Sequence, residues 1–366
     1  MDGAVSVNLS GNEKYVLKDK DFLFARSGAT VGKTYLYRAR DGWAAYAGYL
    51  IRFNVDENKL LVEYLKHFTE SHYYTNWVKN TLRAGAQPNI NAREYSSMLV
   101  SLPPLPEQRK IAAILGAWDA AISTQERLIA ALQERKRGLM QRLLVPREET
   151  GQPAVRFPQF HGEWELQKLN HVFDRVTRKN SVGNSNVLTA SGQYGLVSQI
   201  EYFNRSVAGA SLEDYYLIKR GEFAYNRSSS DGYPFGAIKQ LEKYDAGILS
   251  TLYICFHLVN EAADAIFYRH FFEAGGLGRG IYSIAQEGAR NHGLLNVGVS
   301  DFFSLDVPLL PLHEQKYLAE FFDIQDKLIG VAINYRSQLQ QQKQGLMQRL
   351  LTGQVRVRVD EDEGQE

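Results

Sequence analysis

Cysteine is nearly missing from the 366 residues: Cys255 stands alone, so no disulfide can close within the chain, and one thiol fits a reducing cytoplasm. Long apolar runs are missing too. None approaches the roughly 18 residues of a membrane span, and Met1-Asp-Gly-Ala lacks the basic-then-apolar pattern of a leader. Charge of one sign is not in excess. Lys and Arg number 42 against 41 Asp and Glu, a net charge of +1; the balance does not announce a nucleic-acid partner, although a local basic face is compatible with it. The expectation is a soluble, cytoplasmic protein.

Signatures of chemistry are equally scarce. The 8 histidines show neither His-x-x-x-His nor Cys-His spacing able to hold zinc, so no metal is expected. There is no Gly-x-Ser-x-Gly nucleophile elbow. An Asn-Pro-Pro-aromatic tetrapeptide, expected where the amino group of a base is methylated, is absent, as is a glycine loop of the S-adenosylmethionine type. Ser27-Gly-Ala-Thr-Val-Gly-Lys-Thr34 comes nearest to a nucleotide site. It is one residue short, because Ser27 stands where the first glycine of a phosphate loop is needed, and Tyr35-Leu-Tyr reads as a strand where such a loop opens a helix. No catalytic residue is assigned.

What the chain does have is a repeat. Pro104-Leu-Pro-Glu-Gln-Arg-Lys-Ile-Ala112 returns 207 residues on as Pro311-Leu-His-Glu-Gln-Lys-Tyr-Leu-Ala319, and over 41 ungapped positions 17 are identical, closing in Gly-Leu-Met-Gln-Arg-Leu-Leu both times. Prolines tolerated in a first turn and a glutamate near the helix N-terminus precede a sustained apolar pattern, so each copy predicts a long helix. The first stops at Pro146 and the second at Gly353.

Ile111, Leu115, Trp118, Ile122, Gln125, Ile129, Leu132, Lys136, Leu139 and Leu143 step by alternating fours and threes, and Leu318, Phe322, Gln325, Ile329, Ala332, Arg336, Leu339, Lys343, Leu346 and Leu350 do the same in the second copy. That is a coiled-coil seam. Helices of this length reach about 60 Å, too long for one small domain to cover, so the two stripes are expected to bury each other. Gln125, Lys136 and Lys343 interrupt the apolar row, which fixes register at some cost in stability.

With 44% hydrophobic content the chain supports two or three domains, each with a core. Residues 1–103 predict strands at Phe22–Ala25, Tyr35–Tyr37 and Tyr46–Phe53 and a helix from Leu60 to Lys79. The segment from Gly151 to Leu310 repeats the theme. Gly221-Glu-Phe-Ala-Tyr-Asn-Arg-Ser228 aligns with Lys20-Asp-Phe-Leu-Phe-Ala-Arg-Ser27; a strand over Ile248–Phe256, a helix over Glu261–Glu273 and a polar loop over Gln286–Gly293 follow. Ahead of its aligned strand the second segment carries about 60 extra residues, where the first has only about 20. The expectation is a first domain short of its opening strands, through truncation or a misplaced start.

Polar loops recur at matching places in the two domains. In the first they hold Arg26, Ser27, Thr30, Lys33, Arg83, Gln87 and Asn89; in the second, Arg227, Ser228, Ser229, Ser230, Arg290, Asn291 and His292. Arginine grips guanine bidentately, Asn or Gln does so with adenine, and Ser, Thr and Lys suit phosphates, so the set is a candidate DNA-binding surface. Any one of these residues also suits an ordinary solvated loop; recurrence favours the set.

This layout of domain, long helix, domain, long helix resembles the specificity subunit of type I restriction-modification systems. Pro-Leu-x-Glu-Gln opens each helix, and Arg156-Phe-Pro-Gln-Phe-His-Gly-Glu-Trp164 looks like the start of a second target-recognition domain. The resemblance implies an α+β fold in which two mixed α/β target-recognition domains alternate with two long helices packed as an antiparallel coiled coil. Its parts are a target-recognition domain at 1–103, N-terminally incomplete, a helix at 104–146, a second target-recognition domain at 147–310, a helix at 311–352 and an acidic, disordered tail at 353–366.

The resemblance further implies a non-catalytic subunit that binds a bipartite double-stranded DNA target in defence against foreign DNA. Modification subunits would bring S-adenosylmethionine and methylate adenine. Restriction subunits would bring ATP- and Mg2+-dependent translocation and cleavage. The alternative is a truncated or dormant specificity allele acting mainly as a coiled-coil scaffold or recombination donor.

Overall fold

The computed structural model describes residues 11, 13–82, 88–192, 194–203, 211–230, 232–287, 293 and 295–359. In chain order its elements are β1 (Phe22–Ala25), β2 (Thr34–Leu36), β3 (Leu50–Phe53), α1 (Val62–Thr69), α2 (His72–Thr81), α3 (Ala92–Ser96) and α4 (Leu105–Leu143). There follow β4 (Glu165–Lys168), α5 (Leu169–Val172), β5 (Phe173–Arg175), β6 (Leu188–Ser191), β7 (Gly195–Ser198), α6 (Gln199–Phe203), β8 (Tyr216–Lys219), β9 (Phe223–Asn226), β10 (Ala237–Gln240), β11 (Ala246–Leu249) and β12 (Ile254–Leu258). The last are α7 (Ala265–Glu273), α8 (Gly278–Ile284), β13 (Gln286–Glu287), β14 (Leu295–Asn296), α9 (Val299–Phe303), β15 (Asp306–Leu309) and α10 (Leu312–Leu351). They form two compact units, Met1–Ile129 with Val331–Glu366, and Ala130–Gly330. The fold is the expected mixture of helix and strand, and α4 and α10 are each divided between the two units.

In the first unit β1 is the middle strand of an antiparallel sheet, β2-β1-β3. All four of its residues are buried, because successive side chains of a strand point to opposite faces and here both are covered. Phe22 and Phe24 join Leu65, Phe68, Tyr74 and Tyr95 from the helices, while Leu23 packs with Leu17 and Tyr37. The single helix expected over Leu60–Lys79 is two helices. Ser71 takes an extended conformation and its Oγ accepts from the Tyr74 N–H at 3.3 Å, an N-cap that starts α2 afresh. The break shifts the helical phase, so His72, which one continuous helix would set a turn beyond the buried Phe68, is exposed.

The second unit repeats this arrangement in the sheet β10-β9-β12-β5. Phe223 and Tyr225 of β9 face the core formed with Phe256, Phe267 and Phe302, and Ala224 faces the smaller cluster of Leu249 and Cys255. The strand expected over Ile248–Phe256 is divided between β11 and β12 by a turn in which the Tyr253 N–H donates to Ser250 O at 3.1 Å. The helix expected from Glu261 begins at Ala265, where the Asp264 carboxylate accepts the Phe267 N–H. The stretch expected to be a loop from Gln286 starts as β13, paired with β14.

The aligned strands share even their strain. Lys20 has φ 71°, the one positive φ outside glycine among the described residues, and its counterpart Gly221 has φ 87°. The units differ at one sheet edge: β5, from the extra segment, pairs with β12, whereas β3, the equivalent of β12, has β1 as its only partner strand among the described residues.

Within each unit the early half of one long helix packs against the late half of the other. Ile111 and Leu115 meet Met347, Leu350 and Leu351, and Leu143 and Leu144 meet Leu318, Ala319 and Phe322, so α4 and α10 run antiparallel. Along the seam Ile111, Leu115, Leu143, Leu318, Phe322, Ile329, Leu339 and Leu350 are buried, and Trp118, Ile122, Leu132, Leu139 and Leu346 are half-buried. Among the described residues no helix is long and apolar enough to cross a membrane.

Candidate functional site

Backbone pairing brings the two polar stretches of each domain together. Past β1 the chain forms an isolated bridge between Ser27 and Asn89; the Gly28 N–H donates to Pro88 O at 3.2 Å and the Ile90 N–H to Arg26 O at 2.8 Å. In the second unit the Ser229 N–H donates to Gly293 O at 2.8 Å and the Leu295 N–H to Arg227 O at 2.9 Å. Segments some sixty residues apart in sequence are thus zipped side by side, twice and in the same way.

Aromatic packing beneath holds the zipper. The Tyr95 hydroxyl donates to Ala25 O at 2.8 Å while its ring lies 4.7 Å from Phe24; in the second unit the Tyr225 and Phe302 rings stack at 5.0 Å. Burial pushes the Tyr95 hydroxyl above its ordinary range. It remains a donor at any physiological pH.

Of the candidate DNA-binding residues, Thr30, Lys33, Asn89, Ser229 and Ser230 are exposed, and Arg26, Ser27, Arg227 and Ser228 are half-buried. Arg83, Gln87, Arg290, Asn291 and His292 lie outside the described residues. The aligned arginines are not equivalent. Arg227 donates through Nε to Leu252 O at 2.9 Å and through Nη1 to Val297 O at 3.3 Å, so it braces two loops. Arg26 has no side-chain partner among the described residues. The near-phosphate-loop is a single 3-10 turn, Gly28–Thr30, followed by β2 rather than a helix, so it offers no row of helical N–H groups to an anion.

Sequence reasoning passed over several large exposed side chains. Trp43 and Tyr49, both 74% exposed, lie on the connection between β2 and β3, and Leu252 is 59% exposed on the turn before β12. An aromatic-rich strand pattern carries no mark that separates such residues from core ones.

The repeated Glu-Gln of the helix openings has a mechanical role. The Gln108 amide accepts from Leu61 N–H at 2.9 Å and donates to Lys59 O and Pro103 O, each at 2.8 Å. Gln315 does the same with Asp264 N–H, Ala262 O and Leu310 O. Each long helix is thereby locked onto the domain before it. The Glu107 carboxylate receives Arg356 Nε at 2.7 Å, and Glu314 receives Arg156 Nε at 2.7 Å and Trp164 Nε1 at 3.2 Å. Arg156 and Arg356 each follow the end of a long helix. Part of the expected tail, residues 353–359, is therefore engaged through Arg356, while 360–366 lie outside the described residues.

The two seam glutamines, Gln125 and Gln325, are also satisfied. Gln125 Nε2 donates to Ala332 O at 3.0 Å, and Arg135 Nη2 to Gln325 Oε1 at 2.6 Å. Two groups, His67 with Glu70 and Asp119, and His270 with Asp323 and Asp326, are close enough to hold a metal. The chain's own cations already stand among those carboxylates: Lys343 and Lys66 in the first, Arg269 and Lys136 in the second.

Comparison with known proteins agrees with this geometry. Residues 4–134 match the family described as the type I restriction modification DNA specificity domain. The MjaX specificity subunit of Methanocaldococcus jannaschii is 25% identical over 370 residues, covering 94% of this chain and 80% of its own. The type I restriction enzyme MjaVIII specificity subunit of the same organism is 23% identical over 380 residues, covering 95% and 82%. A chain from a solved structure concerned with assembly and conformational transition of a type I system superposes with a TM-score of 0.56 at 16% identity, over 93% of this chain and 83% of that one.

Proposed function

We propose that this chain, which belongs to the type I restriction-modification specificity subunits, reads a bipartite double-stranded DNA target, one half-site per target-recognition domain, and positions modification and restriction subunits on it. The observation that carries this reading is the duplicated construction: the same zippered polar surface in each domain, each domain locked by one glutamine to the helix that follows it. Two readers on one face of a duplex need a separation related to its helical repeat of about 34 Å, and a stiff helix pair can hold such a distance. Arginine and amide side chains supply base contacts, and Lys33, Thr30 and the serines supply phosphate contacts.

In this reading catalysis resides in partner subunits, which bind S-adenosylmethionine, ATP and Mg2+ in the cytoplasm. Target bases would be flipped into a partner's pocket, so this chain needs only to bind and orient the duplex. The scaffold alternative predicts that DNA retention is indifferent to the polar loops.

Co-purification with a modification subunit, followed by mapping of methylated adenines in cells carrying the complex, tests the reading. A bipartite consensus is expected, and Lys33→Ala is expected to weaken retention of that duplex evenly across sequences and to lower its salt slope by about 1. A complex without sequence preference, or one that recruits no modification subunit, overturns it.

A further inference from the structure

Tyr49 and Leu252 occupy one and the same position in the two domains. Phe22 pairs with Phe53 in the first sheet, and Phe223 with Phe256 in the second; counting back equally along β3 and β12 reaches Tyr49 and Leu252. Each carbonyl is held by the aligned arginine. Tyr49 O accepts the Arg26 N–H at 2.9 Å, and Leu252 O accepts Arg227 Nε at 2.9 Å. Their side chains nevertheless stand in solvent, 74% and 59% exposed.

A single exposed apolar residue is ordinary on any protein surface. Recurrence beside the candidate interface is not. Leu99 is also exposed, but at the 207-residue offset of the helix repeat its counterpart is Asp306. At the 49/252 position both domains present a large apolar group whose own carbonyl is bonded to the arginine of the Arg-Ser stretch, Arg26 in one and Arg227 in the other.

We propose that Tyr49 and Leu252 are wedges that insert between stacked base pairs, one in each half of the target. This rests on the DNA-reading function proposed above. An apolar side chain entering a base step separates two bases, and the loss of stacking is offset by burial of the side chain and by the contacts that the opened duplex makes with flanking donors. Tyr49 offers a flat ring on which a base can stack, whereas Leu252 offers bulk alone, so the first half-site depends more strongly on its wedge. The arginine at each wedge base fixes its height above the surface: through the backbone at Tyr49, through the guanidinium at Leu252.

The test uses the complex with its modification subunit and a duplex carrying the mapped site, with 2-aminopurine placed in turn at purines other than the methylated adenines. Binding of the unaltered complex is expected to raise fluorescence at one step in each half. Tyr49→Ala abolishes the rise in one half and spares the other, Leu252→Ala does the reverse, and each weakens binding about tenfold. Tyr49→Phe retains both signals. Both positions are exposed, so unchanged thermal midpoints are expected.

Unchanged fluorescence and affinity in both alanine variants overturn the proposal. So do variants that keep DNA contact but release the modification subunit, which would make the two residues a protein contact. An unaltered complex with sequence preference but no local unstacking removes the wedge alone; one without preference removes DNA reading itself.

Discussion

Lys343 Nζ lies 2.6 Å from the Asp119 carboxylate and ties the late part of α10 to the early part of α4. The same ammonium, 12% exposed, stands 2.7 Å from Glu70 of the first domain. Lys136 meets Asp326 at 2.5 Å in the same relation within the second unit. A lysine in an apolar row is costly in every register that denies it a counter-charge, so these pairs select one alignment of the helices.

Removal of that ammonium exposes the dependence. Burial opposes ionisation of Glu70, but His67, Lys343 and Lys66 outweigh it and hold the carboxyl below the usual range; Lys343 and Lys66 do the same for Asp119. Lys343→Met leaves both carboxylates with Lys66 and the neighbouring His67 ring. Discounted for their partial exposure, the loss is about 1–2 kcal/mol, read as a lower urea midpoint near neutral pH. The deficit shrinks as pH falls and the carboxylates protonate, because stability held by a depressed carboxyl pKa is present above its unfolded value and lost below it.

The domain-to-helix locks should respond to an isosteric change. In Gln108→Glu and Gln315→Glu, a group that donates to two carbonyls becomes one that only accepts, and carbonyl oxygens then face a carboxylate in a site that is fully buried. Each substitution is expected to cost about 2–4 kcal/mol in chemical denaturation. Equal losses at the two sites would match their identical partners, and a loss below about 0.5 kcal/mol would contradict the geometry.

His270 supplies a pH dependence of known sign. Burial first, then the Arg269 charge, lower its pKa to about 4 despite the Asp323 carboxylate 2.8 Å from Nε2. The folded ring refuses a proton that the unfolded ring accepts near 6.5, so its contribution is full above about pH 6.5 and is lost as pH falls toward 4. The span corresponds to a loss on the order of 3 kcal/mol. His270→Gln should flatten the stability profile between pH 7 and pH 4.5; an unchanged slope would contradict the assignment.

Backbone strain at the aligned turn gives opposite expectations for two substitutions. Gly221→Ala meets nothing within 4 Å, so its cost is that of positive φ alone, about 1 kcal/mol. Lys20→Gly relieves the same strain and loses only an exposed pair with Glu57. A gain of about 0.5 kcal/mol in the thermal or urea midpoint is expected.

Much of this was legible because it is periodic or repeated. The 207-residue offset carried the long helices and the seam between them, and a second offset of 201 residues aligned Arg26 with Arg227. Local competition was less visible. Ser71 ends one helix and caps the next, and Asp264 delays α7, since a side-chain oxygen that satisfies free N–H groups overrides an apolar period running through it. The zipper between Ser27 and Asn89 was foreshadowed only as two polar stretches, with no sign that they touch.

The sequence by itself determined the two long helices and the central strand of each domain, that the chain is built twice, and which residue types each copy presents, because apolar period and repetition act through near neighbours and survive in one dimension. Tertiary structure alone decided that Arg227 is spent on two carbonyls while Arg26 has no side-chain partner among the described residues, that Lys343 answers Asp119, and that Tyr49 and Leu252 face solvent. Those outcomes depend on which groups from distant segments arrive within hydrogen-bonding reach, and distance along the chain carries no record of that.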